Sequence, residues 1–275
     1  MKTFAAINVG SYEQTLKIYT ITKNNGIREV DWIRNRLDLG GTFATGKLSH
    51  EVMDELCAVL RNFVSIMEGY RVDDYRACAT SAIRETKNTA IVLDQIMQRT
   101  GVKLDVLSNS EQRFLDYKSI ASRGGFEKII EKGTLVLDIG GGSIQMSLFD
   151  KDKLSATQNM RLGVLRLQEK MSRLNVRPSE NGPLLEELLE AQLSVFRKMY
   201  LKDRVIENII VVDDYISALI LGKLGKVAGS GYLDRDSMAS YMNYLHDHTD
   251  MEIVRYFDTP EENVPLLRIS SAIVR

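Results

Sequence analysis

The sequence has little cysteine and proline and no long apolar run. Cys57 and Cys78 are the only cysteines among 275 residues, too few for a disulfide framework or a cysteine-rich metal site. We therefore expect both to be reduced core residues. No apolar run reaches the roughly 18–20 residues that span a bilayer, since the run that begins at Ile209 is stopped by Asp213. The 4 prolines and the lack of low-complexity segments indicate a continuous globular fold.

The charge balance is also without a strong bias, with 36 Lys and Arg against 37 Asp and Glu and a net charge of -1. Nucleic-acid binders usually carry a clear basic excess, so DNA and RNA are not expected as partners. The amino-terminal residues enter a strand directly, without the pattern of a signal peptide, so we expect a cytoplasmic protein with no membrane partner. A content of 44% hydrophobic and 27% charged residues is typical of a globular chain, and the length allows two domains.

The hydrophobic pattern predicts a mixed α/β fold whose order of elements occurs twice. Ser49 is the predicted N-cap of a helix that ends at Gly69, and strands then alternate with helices. Gly124 and Gly125 mark a predicted domain joint, after which the order restarts at Thr134. The first three strands are predicted over residues 4–9, 15–22 and 27–38.

Two stretches of the sequence repeat one strand–turn–strand pattern. Phe4–Ser11 and Leu135–Ser143 each contain an apolar strand, then Asn8 or Asp138, then a turn of glycine and serine that leads to a second strand. Glycine lets consecutive backbone N–H groups approach an anion closely and form a phosphate-sized nest. An acid at the strand end can hold hydrated Mg²⁺ beside that phosphate. The repeat predicts two related domains that face a phosphate-filled cleft.

Four segments together resemble the exopolyphosphatase/guanosine pentaphosphate phosphohydrolase (Ppx/GppA) family. They are the first loop, the stretch from Arg36 to Ser49, the string Ala-Thr-Ser-Ala-Ile-Arg that begins at Ala79, and the second loop, Asp-Ile-Gly-Gly-Gly-Ser. The resemblance implies two ribonuclease-H-like α/β domains of the actin-like/sugar-kinase superfold with an interdomain cleft. The expected domains are residues 1–122 and 123–260, and a tail helix over 261–275 is expected to pack back on the first domain.

The resemblance also implies a ligand and the residues that bind it. The expected ligand is inorganic polyphosphate or guanosine penta- or tetraphosphate, with Mg²⁺ held on the side of Asp138. Simpler alternatives stay open: a surface ion pair for Arg84, a plain tight hairpin for the second loop, and a turn-capping role for Asp138. The residues expected to bind phosphate are Gly10, Ser11, Ser81, Arg84, Gly140, Gly141, Gly142 and Ser143.

Three acids of the family pattern are amides in this chain. Asn8 replaces an aspartate in the first loop, Gln112 stands where the family has the glutamate that resembles its catalytic base, and Gln145 replaces a glutamate after the second loop. An amide cannot take a proton from water, and it binds Mg²⁺ more weakly than a carboxylate does. We therefore predict that hydrolysis of terminal phosphoanhydrides is weakened or lost, as in a pseudoenzyme.

Other interpretations remain open at this point. An active Mg²⁺-dependent hydrolase would use Asp138 together with Glu111 or Asp116 as a substitute base, whereas both of these acids are otherwise solvated helix residues. A sugar kinase or actin-like ATPase is disfavoured because Asp213 and its neighbour stand where small residues are expected near a nucleotide. The sequence also leaves a homodimer open.

Overall fold

The computed structural model describes residues 1–23, 26–122, 124–174, 181–213, 215–216 and 233–275. The chain divides into two compact units, Met1–Leu115 and Asp116–Arg275. The division lies within the helix Asn109–Ser122, whereas the predicted boundary was at the end of that helix. Each unit contains one β-sheet with its own core.

The sheet of the first unit has the strand order β3-β2-β1-β4-β5. The first three strands form an antiparallel meander, and β4 and β5 extend the sheet in parallel to β1. The strands are β1 (Lys2–Val9), β2 (Glu13–Thr22), β3 (Gly26–Arg36), β4 (Asp74–Ala79) and β5 (Leu104–Val106). The helices are α1 (Gly41–Thr45), α2 (His50–Gly69), α3 (Ser81–Arg84), α4 (Thr89–Thr100) and α5 (Asn109–Ser122).

Local sequence explains why helix α2 begins and how it packs. The Oγ of Ser49 accepts a hydrogen bond from the Val52 N–H at 3.3 Å, so the predicted N-cap is confirmed. Apolar residues at helical spacing then form one buried stripe that packs on the sheet. The fully buried members of this stripe include Leu56, Leu60 and Phe63.

The edge strand β3 of the first sheet is largely exposed and carries the single tryptophan of the chain. Trp32 is 48% exposed. The Lys17 ammonium lies 4.4 Å and the Arg34 guanidinium 4.8 Å from the centre of its ring. The register with β2 shifts between Ile18 and Tyr19, so the edge strand contains a bulge. Such irregular, charged edges disfavour pairing with further strands.

The sheet of the second unit repeats the order of the first four strands, as β8-β7-β6-β9. Its first three strands are antiparallel, and β9 runs parallel to β6. The strands are β6 (Thr134–Ile139), β7 (Ile144–Asp150), β8 (Lys153–Met160) and β9 (Asn208–Asp213). The helices are α6 (Phe126–Ile130), α7 (Val164–Leu174), α8 (Asn181–Phe196), α9 (Arg235–Asp247), α10 (Asp250–Phe257) and α11 (Val264–Val274). The repeated topology agrees with the duplication read from the two loops.

The tail helix α11 belongs to the second unit. It packs against α7, α8 and α9. Arg268 fixes it there, because its guanidinium donates to the His248 carbonyl at 2.6 Å and to the Asp250 carboxylate at 2.7 Å. Ser271 adds a bond to the Met242 carbonyl at 3.4 Å. These contacts lie within the second unit, and the predicted packing of the tail helix on the first domain stays a prediction.

Both cysteines are free thiols, Cys57 in the core and Cys78 half-buried on β4. Burial is the main cause that raises the pKa of each thiol, although nearby arginines act in the opposite direction. Protonated thiols of this kind are poor nucleophiles. No helix within the described ranges is long and apolar enough to cross a bilayer.

Candidate phosphate-binding site

The two predicted phosphate loops close with the same turn. In the first unit the Gly10 N–H donates to the Glu13 carbonyl at 3.0 Å, and in the second the Gly140 N–H donates to the Ser143 carbonyl at 3.0 Å. Each turn joins the first two strands of its sheet. The resemblance of the two sequence stretches is therefore a resemblance of local structure.

Strand register then gives the correspondence between the polar residues beside each turn. Asn8 pairs with Thr15 across β1 and β2, and Asp138 pairs with Gln145 across β6 and β7. Asn8 is thus the counterpart of Asp138, and Thr15 is the counterpart of Gln145. The first loop has two uncharged partners, and the second loop has one carboxylate and one amide.

The second loop presents N–H groups that the described residues do not use. The backbone N–H groups of Gly141, Gly142 and Ser143 donate to no acceptor within those residues. Its carbonyl groups, in contrast, are occupied: the first turn of α7 donates from Val164 to the Gly140 carbonyl at 3.0 Å. Successive N–H groups in a turn can bind an anion when no protein acceptor uses them. The arrangement favours the phosphate role over a plain hairpin.

Gly163 and Arg166, which are not among the predicted site residues, support this loop. A Cβ atom on Gly163 would lie 2.3 Å from the carbonyl carbon and oxygen of Gly141 and from the Ser143 nitrogen. The Arg166 Nε donates to the Gly142 carbonyl at 2.9 Å. The segment Arg-Leu-Gly-Val-Leu-Arg-Leu contains both residues, but a close approach between distant chain segments is not visible in a local pattern.

Replacing Gly163 with alanine is expected to lower the free energy of unfolding by about 2 kcal/mol, because the new methyl group meets backbone that cannot move aside as a flexible side chain would. Urea unfolding measures the change. Gly182→Ala is the matched control, since open space surrounds Gly182 in α8. Equal stability of the two variants would show that the loop relaxes around the methyl group.

Asp138 and Gln145 contact each other beside the second loop. The Gln145 Nε2 donates to the Asp138 Oδ2 at 3.2 Å, and the glutamine is only 1% exposed. The opposite amide orientation would place Oε1 against the carboxylate, and the resulting repulsion disfavours it. The amide therefore satisfies a carboxylate oxygen that a cation would otherwise contact.

This donor set offers one carboxylate to the Mg²⁺ that the resemblance implies, and not the pair that an acid at position 145 would complete. No group of three or more His, Cys, Asp and Glu side chains that could hold a metal ion occurs in the part of the chain that the structure describes. Mg²⁺ prefers oxygen ligands in octahedral geometry, usually one or two carboxylates with water and phosphate. Asp138 supplies one carboxylate, and its neighbour Gln145 presents an N–H donor. Asp138 as a metal ligand stays a prediction.

The first loop brings two of the predicted phosphate-binding serines together. The Oγ atoms of Ser11 and Ser81 are 3.0 Å apart in a buried contact, and the Ser11 carbonyl accepts a hydrogen bond from Leu39 N–H at 2.7 Å. Gly10 is required by space, because a Cβ there would lie 2.7 Å from the Glu13 carbonyl oxygen. Asn8 is exposed at the end of β1.

The carboxylate of Glu13 lies close to this turn but is already paired. Glu13 is buried, and its Oε1 accepts a hydrogen bond from the Arg34 Nε at 2.8 Å. The charge of the acid is thereby compensated within the first sheet. An anion at the first loop would meet little uncompensated negative charge from this residue.

Arg84 and Gln112 are also brought together in the first unit. The half-buried Arg84 donates from Nη1 to the Leu107 carbonyl at 2.7 Å, and the same nitrogen lies 3.5 Å from the Gln112 Oε1. The bond to the carbonyl holds the guanidinium at the start of α5. A planar guanidinium suits bidentate binding of phosphate.

Glu111 forms a capping box at the start of helix α5. Its carboxylate accepts a hydrogen bond from the Ser108 N–H at 2.8 Å, and its own N–H donates to the Ser108 Oγ at 3.2 Å. The bonds from Ser108 lower the pKa of the Glu111 carboxyl below its ordinary value. A less basic, already bonded carboxylate is a poorer general base. The geometry favours the helix-residue interpretation of Glu111.

Asp213 lies at the end of β9, one position beyond the residue that pairs with Asp138. Its Oδ1 accepts hydrogen bonds from the N–H groups of Tyr215 at 2.6 Å and Ile216 at 2.7 Å. Asp213 therefore shapes the turn after the strand. Its predicted companion, Asp214, lies outside the described residues.

Each copy of the duplicated α/β sheet has a glycine turn after its first strand, at the place where the sequence predicts a phosphate loop. Residues 23–219 match the model of the Ppx/GppA phosphatase family. Because this match covers more than half of the chain, the chain belongs to the Ppx/GppA phosphatase family, as its motifs predicted.

Curated relatives of this chain carry two kinds of name. The chain is 27% identical over 154 residues to Exopolyphosphatase 1 of Mycobacterium leprae. This aligned region covers 56% of this chain and 44% of the relative. It is 25% identical over 181 residues to the guanosine-5'-triphosphate,3'-diphosphate pyrophosphatase of Photobacterium profundum, covering 65% and 35%. The chain thus spans less than half the length of these relatives.

Solved structures of the same family share the fold. An exopolyphosphatase from Cytophaga hutchinsonii superposes with a TM-score of 0.82 at 17% identity, covering 99% of this chain and 89% of that one. The Aquifex aeolicus family member gives a TM-score of 0.74 at 19% identity, covering 99% and 88%. At such identities the likeness shows the fold alone, and it confirms the predicted fold class.

Proposed function

We propose that the chain binds a phosphate-rich ligand, inorganic polyphosphate or guanosine pentaphosphate, and hydrolyses its terminal phosphoanhydride weakly or not at all. The observation that carries the proposal is a turn with unused N–H groups, combined with amides at three positions that are acidic in the family pattern. The second loop keeps three unused N–H groups, whereas Asn8, Gln112 and Gln145 cannot act as carboxylates. The names of the relatives support the choice of ligand.

Phosphoanhydride hydrolysis needs three things from a protein: a cradle for the phosphates, positive charge near the transferred group, and a base that orients water. In this chain the loops would provide the cradle, and Arg84 would provide charge. The base position is occupied by Gln112, which accepts and donates hydrogen bonds but takes no proton. Loss of a general base typically lowers the rate about 10²–10⁴-fold.

The second candidate function is an active hydrolase that uses Glu111 and Asp138. The retained carboxylate of Asp138 favours it. The lowered pKa of Glu111 and its bonds to Ser108 disfavour the active hydrolase, since Glu111 would have to leave the capping box to act as a base on water.

Binding and turnover of the wild-type chain separate these two candidates. We expect the wild-type chain to bind polyphosphate saturably in calorimetry. In Mg²⁺ or Mn²⁺, we expect Glu111→Gln to release phosphate at the same rate as wild type, because glutamine also completes a capping box. Glu68→Gln, an exposed change on α2, is the matched control. A fall in release of about 100-fold in Glu111→Gln alone would establish the active hydrolase. Absence of polyphosphate and guanosine pentaphosphate binding would refute both candidates.

A further inference from the structure

We infer that the second loop binds phosphate without a divalent cation, with the Gln145 amide rather than a metal ion bonded to the Asp138 carboxylate. This inference rests on the proposed function, since it concerns the same ligand and the same loop. It concerns what the binding step requires, a property that the family match does not decide. The residues that carry it are Asp138, Gln145 and the N–H groups of Gly141 to Ser143.

The first step is the charge balance beside the loop. A carboxylate at position 145 would face Asp138 directly across β6 and β7. Two carboxylates in contact repel each other and an incoming phosphate, and a cation or a shared proton relieves that repulsion. Gln145 removes one negative charge and supplies an N–H donor at 3.2 Å from the Asp138 Oδ2. The pair is therefore satisfied without an ion.

The second step is that the amide is held in place. Gln145 is 1% exposed, and its Oε1 accepts no hydrogen bond from the described residues. Rotating the amide would bring that oxygen against the Asp138 carboxylate and remove the attractive contact. A cation at Asp138 would thus have to displace a buried donor before it could bind the same oxygen.

The first loop also lacks a pair of facing acids. Its equivalent residues, Asn8 and Thr15, are both uncharged, and the nearby Glu13 is compensated by Arg34. Neither loop therefore presents two facing carboxylates whose repulsion a bridging cation would relieve. Anion binding by backbone N–H groups and serine hydroxyls needs no metal.

The test is titration of inorganic tripolyphosphate into the full chain, once with EDTA and once with Mg²⁺. Because Mg²⁺ also binds tripolyphosphate, each variant is compared with wild type in the same buffer. We expect wild type to bind in EDTA, and Gln145→Glu to bind about tenfold more weakly there because of the added charge. Mg²⁺ should remove most of this difference in affinity. Gln98→Glu, an exposed change on α4, should match wild type in both buffers.

Mg²⁺ alone gives a second measurement that needs no phosphate. It should raise the melting temperature of Gln145→Glu by occupying the pair of carboxylates, and leave that of wild type unchanged. If Gln145→Glu does not fold, Asp138→Asn serves instead, and it should bind tripolyphosphate in EDTA at least as tightly as wild type, with no response to Mg²⁺ beyond that of wild type.

The outcomes distinguish the inference from the function on which it rests. Wild-type binding that occurs only with Mg²⁺ would overturn the inference and leave the proposed function standing. The inference would also be overturned if Mg²⁺ did not reduce the difference in tripolyphosphate affinity between Gln145→Glu and wild type. Weaker binding of tripolyphosphate by Asp138→Asn than by wild type in EDTA would overturn it as well. No binding in either buffer would remove the proposed function itself.

Discussion

The triple variant Asn8→Asp/Gln112→Glu/Gln145→Glu is expected to release phosphate from polyphosphate at least about 100-fold faster than the wild-type chain, in the presence of Mg²⁺. The three changes restore a base and two acidic positions together. Gln112 lies 3.5 Å from the Arg84 Nη1, so a glutamate there gains an ionised partner. Colorimetric phosphate release with polyphosphate and with guanosine pentaphosphate measures the gain.

Single reversions are expected to recover much less than the triple variant, because groups that act as a unit are not additive. Gln98→Glu, which adds one negative charge far from both loops in sequence, controls for charge alone. A triple variant that binds polyphosphate yet gains no release would place the remaining defect elsewhere. The turn formed by Asp213 would then be the next segment to change.

Arg84→Lys is expected to weaken polyphosphate binding by about 10–100-fold, the factor that corresponds to one charge-assisted bidentate contact. The Leu107 carbonyl holds the guanidinium through Nη1 at 2.7 Å before any ligand binds. Lysine keeps the charge but lacks the planar fork. Calorimetric titration with polyphosphate measures the loss.

Arg99→Lys is the matched control for Arg84. Arg99 pairs with Asp54 at 2.8 Å and lies outside the predicted site, so its replacement should leave the dissociation constant unchanged. Equal affinities of the two variants would assign Arg84 a structural role only. Urea unfolding of both variants separates that role from ligand binding.

Much of the fold could be predicted because its signals are local. Each loop is a strand, a short turn and a second strand, and such a pattern is written in consecutive residues. The N-cap Ser49 is equally local. The sequence Ser108 to Glu111 also contains the S-x-x-E signature of a capping box. That signature places Glu111 at the start of the helix.

The division between the units was harder to predict, since it falls inside the continuous helix α5, where no composition change marks it. Gly124 and Gly125 predicted a domain joint, but these glycines have a different role in the structure. Both have positive φ values, 79° and 80°, so they turn the chain after the helix. Likewise the contact of Gly163 with the second loop joins segments that are distant in sequence, and only the folded structure reveals it.

The position of Trp32 makes the first unit optically separate from the second. Trp32 is the single tryptophan, and it lies on β3 close to Lys17 and Arg34. All fluorescence excited at the red edge of protein absorption therefore comes from this residue. That emission reads unfolding of the first unit alone, whereas far-ultraviolet circular dichroism reads the helices of both. Non-coincident transitions in the two signals would show that the units unfold one after the other.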